Sequence, residues 1–380
     1  MADLREGQTL LAATPSGGDV GPGTKDRDTP FYNPAMATNR DLSVALVAAE
    51  AARRGRELDV ADVLAGTGAR SLRLANEVAA PHGLVVHAND GDPNAVAAIE
   101  RARVANEIPE ARLRTTTGAA HAFLASRRFD VIDLDPFGSP LPFLDMAVRA
   151  TRHDGLICLT ATDTGGLAGT FPRVCRRRYG ADPAPQNAVW RREAGLRILA
   201  ASAVRAAGRF DRAARPVLSV ASDHWMRVVV RVRESRSEAD AVTREIGHAW
   251  LGDGDEALTG RLPPADVPAA GPLWLGPLHD TDFVASLPDL PEPTRATTRL
   301  LDVVREEAAA PGGTPLFWAD VSRLGRWAQS DPPKRAHLLA ALQEAGHVAT
   351  RCHLEPAAVR TDAPWPALLE LVRSLTDSKA

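Results

Sequence analysis

Short apolar runs and longer helix-spaced segments alternate along the first 235 residues. The runs at 59–64, 84–87, 112–116, 130–134 and 155–160 are too short for stable helices and are bounded by turn formers, so they read as strands. Between and around them, 42–54, 71–78, 94–106, 119–126, 141–150 and 190–207 carry helical spacing. Asp41 or Asn39 is available to cap the first of these helices, and Gly55 to end it. The segments 217–221 and 225–232 read as a terminal antiparallel pair. Such regular alternation predicts a doubly wound α/β sheet with helices on both faces.

The texture changes near 233–237. Residues 235–251 read as helix, 252–271 as loop, 294–310 as helix, 317–327 and 333–345 as helices, and 347–353 as strand. This order predicts a first domain over 1–235 and a smaller α+β C-terminal domain over 236–380. The first 30 residues are rich in Gly, Pro and Thr, and read as an extended arm or hairpin.

Composition narrows the class. The 380 residues suffice for two domains, and 44% hydrophobic with 24% charged residues is ordinary for a folded soluble protein. No run reaches the length of a membrane-spanning helix, and the first residues lack the apolar core of a signal peptide. Cys158, Cys175 and Cys352 are too dispersed for a disulfide framework or a cysteine metal site, and no histidine pair has metal spacing. A cytoplasmic location with no metal, no membrane and no obligate protein partner is the expectation. Net charge is only −3, yet residues 173–215 hold eleven arginines against three acids. Arg173, Arg176, Arg177 and Arg178 are the candidates for an RNA backbone contact, against the plainer alternative of a solvated helix face. Glu193 and Arg197, four apart on a helix, read as an ordinary surface ion pair.

The chemistry concentrates in FDVIDLDPFGSP, residues 129–140. A buried parallel strand that ends in Asp135-Pro136-Phe137 places a carboxylate, a carbonyl and a ring at the carboxyl edge of the sheet, where ligands of such sheets bind. The carboxylate and carbonyl suit the hydrogens of an exocyclic amine, and the ring suits a base face. Gly66 and Gly68 lie in a turn after the first strand, and Asp90 ends the second, where an acid meets ribose hydroxyls. Asp92 is a second choice and also a natural helix cap. Arg70 in the glycine turn would crowd a pyrophosphate but suits an amino-acid carboxylate, which favours S-adenosylmethionine (SAM) over a dinucleotide. A seven-strand sheet closed by a hairpin is the Rossmann-like pattern of class I methyltransferases.

FYNPAMATNRD (31–41), LAGTGARSLR (64–73), AND (88–90), DLDPFGSP (133–140), LTATDT (159–164), GPLWLGPLHD (271–280) and RTDAPW (360–365) together resemble the tRNA guanosine-N2 dimethyltransferases, which act at position 26. The resemblance runs from about residue 6 to residue 365. It implies that Asp135 is catalytic and that Phe31 and Phe137 hold a flipped guanine beside Pro136. It implies further that Arg40, Arg70 and Gly66 engage SAM, that Asp90 binds its ribose, and that the Ala120 backbone meets its adenine. Ala119 stands where the family carries an acid. The cysteine pairs that many relatives place before the GPLWLGP segment are absent here, so a structural zinc is not expected. Two alternatives share parts of the pattern: a DNA amino-methyltransferase, and a tRNA-binding scaffold with weak or no turnover. His224, Trp225, Trp274 and Trp365 read as packing residues rather than RNA contacts.

Overall fold

The structure is a computed structural model that describes residues 4–12, 32–222 and 224–377. Phe31 and most of the expected N-terminal arm lie outside the described residues; the described part is a hairpin of β1 (Leu4–Glu6) and β2 (Thr9–Leu11).

Helix α1 (Ala37–Arg54) leads into strand β3 (Leu58–Asp62), helix α2 (Ala69–Glu77), β4 (Leu84–Asp90), α3 (Pro93–Ala105), β5 (Leu113–Thr117), α4 (Ala120–Ser126), β6 (Phe129–Leu134), α5 (Leu141–Ala150) and β7 (Thr151–Ala161). Short α6 (Thr164–Leu167) and α7 (Pro172–Tyr179) precede the long α8 (Arg191–Gly208), then β8 (Arg212–Ala221) and β9 (Met226–Glu234). The seven strands form one sheet in the order β5-β4-β3-β6-β7-β9-β8. Pairs β4/β5, β3/β4, β3/β6 and β6/β7 are parallel. Strand order reverses at β3/β6, which makes the carboxyl ends of those two strands the switch point.

Local chemistry explains the elements that frame this point. All six residues of β6 are buried, as a central parallel strand requires, and Pro136 ends it by removing a ladder donor. Gly55 ends α1 with φ 60°, a left-handed cap. Helix α1 starts five residues earlier than the apolar pattern suggests. A 3-10 turn at Pro34–Met36, capped by the Asn33 side chain, nucleates it, and Asn39 and Asp41 lie inside the helix with other partners.

The remaining elements are α9 (Arg236–Thr243), β10 (Ile246–Leu251), β11 (Ala257–Gly260), β12 (Ala269–Trp274), α10 (Thr281–Ala285), α11 (Arg295–Ala308), β13 (Ala319–Asp320), α12 (Val321–Ala328), α13 (Arg335–Glu344), β14 (Ala349–Arg351), β15 (Ala358–Thr361) and α14 (Trp365–Asp377). Residues 246–251, expected to continue a helix, form the middle strand of a three-stranded sheet, β11-β10-β12. A second small sheet, β13-β15-β14, packs with α12, α13 and α14 around Leu324, Leu338, Leu342, Val359 and Val372.

Compactness divides the chain differently from a cut at residue 235. One unit holds residues 1–160, 231–234 and 286–299; the other holds 161–230, 235–285 and 300–380. In the first, Asp41 of α1 draws in the later segment by accepting from Thr294 N (2.9 Å) and Thr297 Oγ1 (2.5 Å). In the second, α8 packs on β8 and β12, so the long helix belongs with the C-terminal elements.

Candidate active site

The turn after β3 is shaped by two glycines in the left-handed region, Gly66 at φ 53° and Gly68 at φ 72°. A Cβ on Gly68 would come within 2.4 Å of Ile99 Cγ1, so only glycine lets α3 pack there. A Cβ on Gly66 would meet nothing within 4 Å, so this side of the turn faces open space. Asp90, at the end of β4, accepts from Gly66 N (2.8 Å) and Asp92 N (2.9 Å), which fixes its carboxylate against the turn. Asp92 in turn caps α3 by accepting from Asn94 N (2.9 Å). Asn89 Nδ2 donates to Val63 O and Gly118 O, tying the ends of neighbouring strands together, while its Oδ1 is buried and meets no hydrogen-bond partner among the described residues. Ala120 is the first residue of α4 and is buried; Ala119 is exposed.

Across the switch point, parallel register pairs Asp62 with Asp133. Both are buried, and Asp135 lies two residues beyond Asp133, just past the end of β6. Arg70, from the first turn of α2, answers these acids. Its Nη2 donates to Asp135 and its Nη1 to Ser43 Oγ and Asn39 Oδ1, with Asp133 Oδ2 3.3 Å from Nη1. Burial opposes the Arg70 charge, but Asp133, Asp135 and Asp62 outweigh it and hold the guanidinium above its usual range. Burial pushes Asp62 up to about 6, with Arg70 opposing and Asp133 adding to the shift. Beyond Asp135, Pro136 is buried and Phe137 is 78% exposed at the strand end. Asp135, Phe137, Gly66, Asp90 and Ala120 thus share the carboxyl edge of one parallel sheet segment.

The two arginines expected to engage a cofactor are committed internally. Arg70 is only 6% exposed and serves the sheet's own carboxylates, because three acids at one strand edge need a cation. Arg40 grips Glu6 through Nε (2.7 Å) and Nη2 (2.5 Å) and lies over the Tyr32 ring. Glu6 also accepts from Arg73 (2.9 Å) and Tyr32 Oη (2.5 Å), so this knot pins β1 to α1 and α2. Burial alone would raise the Glu6 carboxyl; Arg40, Tyr32 and Arg73 outweigh it and bring it down to about 2.

The second unit carries the arginine helix. Arg173, Arg176, Arg177 and Arg178 of α7 are all exposed. Arg176 pairs with Asp182 (2.5 Å) and Arg178 with Asp163 (2.8 Å), whose other oxygen accepts from Tyr179 Oη (2.6 Å). Glu193 and Arg197 are fully buried rather than on the surface. Arg360 bridges Glu193 (2.8 Å) and Glu307 (2.8 Å), and Glu307 also takes His279 (3.2 Å) and His353 (2.5 Å). The ligand-type atoms of His279, Glu307 and His353 lie within 4.8 Å of one another, the grouping among the described residues that could hold a metal ion. Two buried acids, Glu193 and Glu307, already face two buried arginines there, and burial lowers His279 from its ordinary value. No spacing signal in the sequence announces it, because its members are scattered over α8, α11, β15 and two loops. Trp225 and Trp274 are fully buried, and Trp365 is partly buried.

The strand order and the glycine turn facing an acid across the switch point define a class I methyltransferase. The residues present fit SAM: the turn has open space over Gly66, Asp90 is fixed beside it, and the buried Asn89 Oδ1 remains unpartnered among the described residues. Residues 22–373 match the family model of the N2,N2-dimethylguanosine tRNA methyltransferases. A tRNA (guanine(26)-N(2))-dimethyltransferase of Thermococcus kodakarensis is 36% identical over 367 residues, covering 91% of this chain and 93% of the relative. The enzyme of the same description from Methanothermobacter thermautotrophicus is 36% identical over 364 residues, with 91% and 93% covered. The solved complex of Trm1 from Pyrococcus horikoshii with S-adenosyl-L-methionine superimposes with a TM-score of 0.84 at 29% identity, covering 98% of this chain and all of that one. The chain belongs to the N2,N2-dimethylguanosine tRNA methyltransferase family.

Proposed function

We propose that this chain methylates the N2 amino group of guanosine 26 in tRNA, with SAM as donor. The observation that carries the reading is the Asp135-Pro136-Phe137 edge facing the Gly66–Gly68 turn across the switch point, in a chain of this family. Bound SAM supplies an electrophilic methyl group. Gly66 would leave room for it, Asp90 would hold its ribose, and the Ala120 backbone would meet its adenine. The guanine amine is a weak nucleophile because its lone pair is delocalised into the ring. Asp135 and the Pro136 carbonyl accept the two amine hydrogens and turn that lone pair outward. Phe137 stacks on the extruded base. The rate gain comes chiefly from this positioning, and Asp135 takes the amine proton once the new C–N bond has formed. Arg70 holds Asp135 at the strand edge.

Among the described residues no helix is long and apolar enough to cross a membrane. A cytoplasmic site of action follows from the tRNA substrate. The test is incubation with SAM and purified tRNA, followed by mass spectrometry of the nucleosides. N2-methylguanosine and N2,N2-dimethylguanosine should appear in tRNA with guanosine 26 and not in tRNA with adenosine 26, nor in duplex DNA. A tRNA that binds without gaining methyl groups at saturating SAM would favour the scaffold reading.

A further inference from the structure

Resting on the tRNA reading above, we propose that Phe171 and the cavity beside α7 bind an unstacked tRNA segment other than the target guanosine. In this proposal the Phe171 ring stacks on one of its bases.

Phe171 is 60% exposed. A single exposed ring is ordinary surface, so exposure alone says little. Its surroundings differ from an ordinary surface in three respects. The first is rigidity. Phe171 is the N-cap of α7, its N–H donates to Gly165 O (2.9 Å), and its carbonyl accepts from Val174 N (2.9 Å). The ring rests on Gly165, where a Cβ would come within 3.0 Å of Cδ2 and Cε2. A glycine there lets the ring pack closely against the chain, so stacking on it costs little further side-chain ordering.

The second is charge. Of the four exposed arginines on α7, Arg176 and Arg178 are answered by acids, but Arg173 and Arg177 meet no carboxylate among the described residues. The third is space. A cavity of about 520 Å³ runs along the same helix, lined by Pro172 and Arg176 from α7 and by Gly169, Gln186, His248 and Pro268. Flat apolar proline walls with a few convergent polar groups suit a small planar ligand. An exposed ring, unanswered cations and such a cavity are what single-stranded nucleic acid uses: aromatic stacking for bases, cations for the backbone.

The test uses the full chain and purified tRNA. Phe171→Ala should raise the KM for tRNA by about fivefold or more, as loss of one stacked base does, with kcat changed by less than about twofold. SAM affinity, measured by calorimetry, should stay at the wild-type value and so certify the fold. Phe171→Trp should restore the KM. The salt dependence of tRNA binding should keep its slope in Phe171→Ala but flatten by roughly one in Arg177→Glu, which removes a phosphate contact. A wild-type KM in Phe171→Ala, or no rescue by Phe171→Trp, overturns the inference while the wild-type chain still methylates tRNA. A wild-type chain that leaves tRNA unmethylated overturns the functional reading, and this inference with it.

Discussion

Asp62 and Asp133 are register partners across β3 and β6, and Arg70 is the cation set against both of them and against Asp135. Three acids and one guanidinium at the end of a parallel sheet cannot be a neutral packing solution. The arrangement holds Asp135 in place at the strand edge and leaves its neighbours dependent on a single residue. Asn39 and Ser43 complete the cradle by fixing Arg70 Nη1.

Arg70→Met follows directly. The substitution keeps the apolar stem but leaves buried acids without their cation, a defect worth about 3–5 kcal/mol. Urea unfolding should show the midpoint falling accordingly with an unchanged slope. A variant as stable as the wild type would mean that the acids are neutral in the folded chain.

Asp135→Asn separates chemistry from architecture. Arg70 keeps Asp133 as a partner, so the fold and the open turn over Gly66 persist. Methyl transfer at saturating SAM should fall by about 100-fold or more, because the amine loses its proton acceptor. SAM affinity by calorimetry should hold. Loss of SAM binding in a folded variant would place Asp135 in the cofactor pocket instead.

Two opposing pH slopes are built into the first unit. Asp62 has a folded value of about 6 against an ordinary 3.8, so its contribution is complete below 3.8 and is lost as pH rises through 6. That costs about 3 kcal/mol at neutral pH, and Asp62→Asn should remove the slope while keeping an acceptor for Ser71. Glu6 and Glu50 have the reverse sign. Burial would raise both, yet Arg40, Tyr32 and Arg73 bring Glu6 to about 2, and Arg53, Arg231 and Arg54 do the same for Glu50. Their stabilisation is complete above 4.5 and disappears as pH falls toward 2. Urea midpoints from pH 3 to 8 should therefore decline between pH 4 and 6 in the wild type only, and fall on the acid side in both chains.

How much of this was legible depends on where each determinant resides. Strand β6 and helix α5 were readable because a short run rich in apolar residues, FDVIDL, stops at Asp135-Pro136 and a helical pattern resumes at Leu141, all within local sequence. The carboxyl-edge site followed from that order. Strand β10 was not, because the partners that make residues 246–251 extended, β11 and β12, are separate segments and its own Ala-Trp-Leu pattern fits a helix equally well. Helix α7 escaped notice because arginines fill it and only Val174, Cys175 and Tyr179 give it an inner face. The internal role of Arg70 needed the register of β3 on β6, which no spacing along the chain encodes.

The buried ladder Glu193–Arg360–Glu307 gives the sharpest contrast between sequence and structure. Glu193 looks like half of a surface pair with Arg197, yet its carboxylate is wholly buried and also accepts from Phe317 N (3.0 Å). Arg360 joins it to Glu307 and donates to Phe317 O (3.2 Å), so one side chain from β15 satisfies α8, α11 and a loop at once. Burial would raise Glu307, but His353 and Arg360 hold it well below the usual carboxylate range. Removing Arg360 leaves two buried carboxylates facing Arg197 and the histidines alone. Arg360→Met should therefore destabilise the chain by about 3–5 kcal/mol in urea unfolding, whereas Arg173→Met, at an exposed site without a carboxylate partner among the described residues, should change stability by no more than about 0.5 kcal/mol. Equal midpoints for the two variants would show that Arg360 contributes packing rather than charge.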